Sequence, residues 1–216
     1  MAPTRTSRIE DGADLSLLFW RFDAPMRVIS SGPLGGGLGE RWWIINATVS
    51  RTYSRMDPER HLGELADGLG LRGPGAGLLT AVDVDAATSA NDAGADVVAT
   101  VGLGHPTWAA APDGDLRHGI GTINIVATVP VPLTDAALVN AAITMTEAKV
   151  QALWEYGVAA TGTASDAVVV ACPTDGPAEP FGGPRSLWGA RLARATHAAV
   201  LAGTAAWPTT WSHPFE

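Results

Sequence analysis

The chain lacks most of the groups from which common functional classes are built. It has one cysteine, Cys172, so no internal disulfide can form, which fits a reducing compartment. Only 17% of residues are charged, no block of Lys or Arg occurs, and the formal net charge is −8. A phosphate backbone would be repelled over most of such a surface, so nucleic acid is not an expected partner. No segment offers about 18 uninterrupted apolar residues, and the polar start, Met1 to Asp14, has no apolar core of signal-peptide length. The expectation is a soluble, cytoplasmic protein with no membrane partner. The five histidines are scattered without His-x-x-x-His or Cys-x-x-Cys spacing, so no metal site is expected. There is no Gly-x-Ser-x-Gly elbow, no Walker-type Gly-Lys-Ser/Thr run and no Gly-x-Gly-x-x-Gly between a strand and a helix. Serine hydrolases of the usual kind, P-loop enzymes and Rossmann dehydrogenases are disfavoured by these absences.

What is present suffices for one core: 216 residues, 46% of them hydrophobic. One domain is expected over residues 15–206, with a polar N-terminal tail at 1–14 and a C-terminal tail at 207–216. Leu15–Phe22 and Met26–Ser30 read as strands joined by Asp23-Ala24-Pro25, and Arg41–Val49 as a third. Asp57-Pro58 opens a helix to about Gly68. Gly77–Val84, Asp96–Leu103 and Ile120–Val129 read as strands, followed by a helix from Thr134 to Tyr156 that ends at Gly157. A buried strand, Ala167–Ala171, and a final helix, Ser186 to Ala202, complete the order βββαβββαβα. That order predicts an α+β fold with a mixed, mainly antiparallel sheet and about three helices. His105–His118 and Pro173–Pro184 read as loops.

Polar residues interrupt the apolar runs at a few places. Thr122 and Asn124 alternate with isoleucines on one strand and so share a face; Asn46 poses the same question in the third strand. On the long helix Lys149 falls in the middle of an apolar stripe that includes Leu138, Ala141 and Met145. It either snorkels out or meets a carboxylate beside a substrate. Glu147 lies on the opposite side, and the two do not face each other. Thr161, Thr163, Ser165 and Asp166 fall between that helix and the buried strand. Such a loop can supply a nucleophile, an acid and oxyanion donors, or can merely hold a turn. Ser30 and Ser31 lead into Gly35, Gly36 and Gly37, which permit close approach of a backbone or a ligand. Eight tryptophans are many for this length; Trp42 and Trp43 must point to opposite faces, and Trp108 and Trp154 offer flat apolar surface.

In order along the chain, Ser30-Ser31 with Gly35-Gly36-Gly37, Asn46 to Val49, Gly121-Thr122-Ile123-Asn124, Thr146-Glu147-Ala148-Lys149 and Ala160-Thr161-Gly162-Thr163 with Asp166 resemble the adenosylcobinamide amidohydrolase family, CbiZ. The likeness runs from about Val28 to Gly203. Where relatives tend to carry an asparagine after the strand ending at Gly102, this chain has Gly104-His105-Pro106. The resemblance implies hydrolysis of the aminopropanol amide of adenosylcobinamide in corrinoid salvage, with no cofactor, the corrinoid being substrate, and self-association left open. Set beside that resemblance, our reading gives Glu147 acid–base work with Asp166 and Lys149 assisting, and Thr161, Thr163 or a water the attack. Asn46, Asn124, Thr122 and the Ser30–Gly37 loop would meet the corrin. A non-catalytic corrinoid carrier and an amidohydrolase for a peptide-like amide are the alternatives.

Overall fold

A computed structural model describes residues 1–112 and 120–208; positions 113–118 of the expected His105–His118 loop and positions 209–216 of the expected tail lie outside them. The chain begins with a hairpin of β1 (Thr4–Glu10) and β2 (Ala13–Ser30), turned at Asp11-Gly12, where both residues have positive φ. The segment 1–14, expected as a polar tail, is therefore largely strand. Its sequence shows no apolar alternation because β1 lies on β2 as an added outer strand with half its side chains in solvent. Similarly, the two expected strands of 15–30 are one. The Asp23-Ala24-Pro25 break appears as a slip in register against the next strand between Arg21 and Met26, where Pro25 has no N–H to give.

The remaining elements are β3 (Gly37–Thr48), α1 (Pro58–Gly68), β4 (Gly75–Thr80), β5 (Thr88–Asp92), β6 (Ala95–Gly102), β7 (Pro106–Thr107), β8 (Thr122–Thr128), α2 (Asp135–Glu155), β9 (Gly162–Thr163), β10 (Ala167–Cys172) and α3 (Leu187–Ala206). The main sheet runs β4-β3-β2-β10-β8-β6-β5, with β1 on β2. The β3/β4 and β10/β8 neighbours are parallel and the others antiparallel, so the sheet is mixed and mainly antiparallel, as the sequence predicts. Besides β1, the sequence reading lacks β5, too short and polar to stand out, and the two-residue strands β7 and β9.

The sheet folds on itself. Ile44 and Leu78 of β3 and β4 share one apolar cluster with Val126 and Val169 of β8 and β10, so the two halves of the sheet pack face to face. Alternate residues point outward. Ile45 and Ala47 meet Leu62 and Ala66 of α1, while Ile123 and Ile125 meet Leu138 and Met145 of α2 and Leu192 of α3. The result is helix, sheet, sheet, helix. No helix among the described residues is long and apolar enough to cross a membrane.

Candidate active site

At one end of the sandwich the two half-sheets part around a hollow of about 300 Å³. Its polar lining includes Arg51 and Tyr53 after β3, Thr80 at the end of β4, Thr122 and Asn124 on β8, and Ser165 before β10. A second hollow of about 340 Å³ shares Arg51, Gly121 and Thr122 with the first and is lined also by Gly203 of α3 and by Trp207 just after it. Pockets of this form, apolar with a few convergent polar groups, are where small-molecule chemistry is ordinarily found.

The strand that carries Thr122 and Asn124 is held by the turn that precedes β10. Asp166 Oδ1 accepts the Ile123 N–H at 2.9 Å, and its Oδ2 accepts the Thr163 N–H at 3.1 Å. The same carboxylate receives the Thr163 hydroxyl and, on Oδ2, the ammonium of Lys149. Thr163 Oγ1 and Ser165 Oγ both lie within hydrogen-bonding distance of the Gly121 carbonyl, at 2.9 and 3.1 Å. Because the single Ser165 proton is directed there, Thr122 donates to Ser165 Oγ, 2.7 Å away.

Lys149 is thus the buried lysine with a carboxylate partner, and not the snorkelling one. The two side chains are 8% and 12% exposed, so their mutual attraction is weakly screened and each depends on the other. α2 turns Lys149 inward because its buried stripe runs Leu138, Ala141, Met145, Lys149 and Ala152, from a start at Thr134, whose hydroxyl accepts the Ala137 N–H at 3.2 Å. Gly162 is required here, since a Cβ on it would overlap both the Asp166 carboxylate and the Lys149 ammonium.

Other expected site residues take different places. Glu147 is exposed on the outer side of α2 beside Trp154, which is 72% exposed; it lines neither hollow and bonds no described residue. The structure does not bring it to the Asp166 cluster, because a residue two positions from the buried Lys149 must face the other way. The Thr161 hydroxyl is occupied, accepting the Ala109 N–H at 2.8 Å and donating to the Thr107 carbonyl at 3.3 Å, which fastens the loop after β7 to β9.

Asn46 is buried and donates to Thr100 Oγ1 at 3.1 Å. Asn124 donates to Asn46 Oδ1 and to the Leu79 carbonyl, both at 2.9 Å. These bonds cross the sandwich, from β3 to β6 and from β8 to β3 and β4, so of the two amides only Asn124 lines the hollow and Asn46 fixes it. Ser31 joins β2 to β10, accepting the Val168 N–H at 3.0 Å, and Ser30 Oγ accepts the Gly32 N–H at 3.0 Å. Gly35 has positive φ and sits against the Gly75 carbonyl, Gly36 approaches the Gly32 carbonyl, and Gly37 has positive φ over open space. The close approach these glycines allow is to the chain's own backbone; Pro33, from the same loop, is the residue that reaches the hollow.

Sequence reasoning missed Arg51, assigned no site role to Tyr53 or Thr80, although both fall in family-like segments, and gave Ser165 no role of its own. Tyr53 precedes a helix in a stretch without periodicity, and its signal in the sequence was its place in the family-like order after the Asn46–Val49 element. Among the described residues no group of three or more His, Cys, Asp or Glu is placed to hold a metal ion.

The family model described as adenosylcobinamide amidohydrolase matches residues 2–210. A Methanosarcina mazei protein of that name is 33% identical over 184 residues, 81% of this chain and 88% of its own length. A Halobacterium salinarum protein of the same name is 37% identical over 131 residues, 58% of this chain and 56% of its own. Among solved structures, the PH0078 protein of Pyrococcus horikoshii OT3 superposes with a TM-score of 0.48 at 13% identity, over 88% of this chain and 77% of that one.

Proposed function

This chain belongs to the adenosylcobinamide amidohydrolase family, and from that premise we propose that it cleaves the aminopropanol amide of adenosylcobinamide. Water is consumed, and adenosylcobyric acid and 1-amino-2-propanol are released. The observation that carries this reading is that the family-like segments Gly121-Thr122-Ile123-Asn124 and Ala160 to Asp166, 36 or more residues apart in sequence, build one wall of one hollow. At about 300 Å³ that hollow suits an amide arm and not a corrin ring, so the macrocycle rests outside it, with the neighbouring hollow and Trp207 at its edge.

In this reading Asn124 and the Thr122–Ser165 hydroxyl pair orient the scissile amide, and Asn46 and Thr100 hold Asn124 in place. Lys149, Asp166 and Thr163 are positioning residues that fix the strand bearing Thr122. Thr161 secures the rim, as do Ser30, Ser31 and the glycines at 35, 36 and 37. Arg51, whose guanidinium has five fixed donors, stands between the two hollows where developing negative charge on the amide oxygen can be met. The reaction needs no cofactor, involves neither nucleic acid nor membrane, and belongs in the cytoplasm as a salvage step in cobalamin supply; self-association is compatible with it.

Ser165→Trp tests the siting. Placing an indole in the hollow is expected to abolish release of 1-amino-2-propanol while the protein stays folded. Unchanged release by the blocked variant would move the reaction elsewhere.

A further inference from the structure

The hollow has a second wall, unrelated to Thr122 and Asn124, that carries a chain of proton-handling groups. Tyr53 lines it, and the Tyr53 hydroxyl lies 3.1 Å from His61 Nδ1 in the first turns of α1. The two rings are stacked, with centroids 5.5 Å apart and 18° between their planes, which limits their freedom. His61 is 3% exposed, and its Nε2 lies 3.2 Å from Glu10 Oε1 on β1. Arg8 holds Glu10 in turn, its Nε donating to Oε2 at 2.7 Å while another nitrogen donates to the Thr48 carbonyl at 2.9 Å.

This order of partners fixes the protons. A carboxylate only accepts, so His61 Nε2 carries the hydrogen, Nδ1 presents its lone pair, and Tyr53 donates to it. The Tyr53 oxygen keeps its lone pairs for another donor. β1, the loop before α1 and α1 itself each contribute one member. A buried imidazole that faces a carboxylate on one side and is hydrogen-bonded on the other to the hydroxyl of a cavity-lining tyrosine is the arrangement of a general acid–base relay.

Resting on the amidohydrolase reading, we propose that Tyr53, His61 and Glu10 form the proton relay of the hydrolysis, with Tyr53 touching the reacting atoms and His61 and Glu10 positioning and charging it. In the attack step a water oxygen bonds to the amide carbon and gives a proton to the Tyr53 oxygen, while the Tyr53 proton passes to His61 Nδ1. Glu10 faces the imidazolium so formed. In the collapse step the carbon–nitrogen bond breaks, Tyr53 gives a proton to the departing amine nitrogen, and His61 returns one to Tyr53. Atoms and charge balance, and the relay ends as it began. Around Tyr53 the charged neighbours are Glu10 on the β1 side, Arg55 and Asp57 before α1 and Glu64 on it. Burial, the largest influence, holds its hydroxyl above the ordinary tyrosine value; Arg55 opposes this, and Asp57, Glu10 and Glu64 add to it. The hydroxyl is therefore protonated at neutral pH, as a donor to an amine requires.

Tyr53→Phe keeps the ring stack and removes the hydroxyl, and Glu10→Gln keeps the shape of the carboxylate and removes its charge. With adenosylcobinamide, kcat is expected to fall about 100-fold in Tyr53→Phe and about tenfold in Glu10→Gln, with KM unchanged within about threefold. A corrinoid whose arm is joined as an aryl ester needs no proton on its leaving group, so the Tyr53→Phe defect should shrink about tenfold or more. A purely structural tie between α1 and β1 would shift the melting temperature and leave these kinetic ratios unmoved. Wild-type turnover in Tyr53→Phe, or the same defect on both arms, overturns the relay alone. Failure of the wild type to cleave adenosylcobinamide overturns the amidohydrolase reading and the relay that rests on it.

Discussion

Lys149 and Asp166, 17 residues apart, form a buried ion pair in the space that a side chain on residue 162 would occupy. The pair lies behind the hollow, not in it. Its other bonds, from Ile123 N–H and from Thr163, transmit its position to the strand that bears Thr122 and Asn124.

Gly162→Ala is therefore expected to be costly. A methyl group must displace either the carboxylate or the ammonium, and overpacking of this kind destabilises by about 1–3 kcal/mol. Urea unfolding followed by tryptophan fluorescence measures it, and a variant as stable as the wild type would show that the pair yields without cost.

Lys149→Met leaves Asp166 buried and charged with only the Ile123 and Thr163 donors. Removal of one partner from such a pair costs about 3–5 kcal/mol, and the remaining donors put the expected loss at the lower end. The same unfolding experiment applies. The double variant Lys149→Met with Asp166→Asn should lose less than the sum of the two single variants, because the second change removes the stranded charge.

Glu147→Gln is expected to keep turnover within about twofold, since surface substitutions away from a site have small effects. The prediction separates the observed placement from what the Thr-Glu-Ala-Lys motif suggested in sequence. A loss of two orders of magnitude would require α2 to present its outer face to substrate.

Cys172 should be inert in the native state. It is fully buried, with Sγ accepting the Leu133 N–H at 3.3 Å, and burial, the largest influence, pushes the thiol above its ordinary value. A raised folded-state value means that stability from the neutral thiol is complete below the unfolded value and is lost as pH rises through the folded one. At mildly alkaline pH iodoacetamide should label the urea-unfolded chain and spare the native one. Fast labelling of the native protein would contradict the burial.

Much of the architecture was legible because the relevant signals are local. The apolar stripe of α2, its Thr134 cap and the Thr122/Asn124 alternation follow from periodicity, and they place Lys149 inside and both β8 polar residues on one face. The folding of the sheet back on itself was not legible. Nothing in the sequence says that Asn46 and Asn124 meet across a sandwich, because the contact joins non-neighbouring strands. For the same reason the Ser165 hydroxyl, next to the recognised Asp166, could be separated from Thr161 and Thr163 only once their partners were visible. Glu10 was missed at an earlier stage, because an outer strand that exposes half its side chains has no apolar pattern to mark it.

The most direct measurement is mass-spectrometric product analysis after incubation of the purified protein with adenosylcobinamide. Adenosylcobyric acid and 1-amino-2-propanol are expected in equal amounts, increasing with time to many turnovers per chain. A corrinoid that is bound and recovered intact, or left untouched, would contradict the amidohydrolase function.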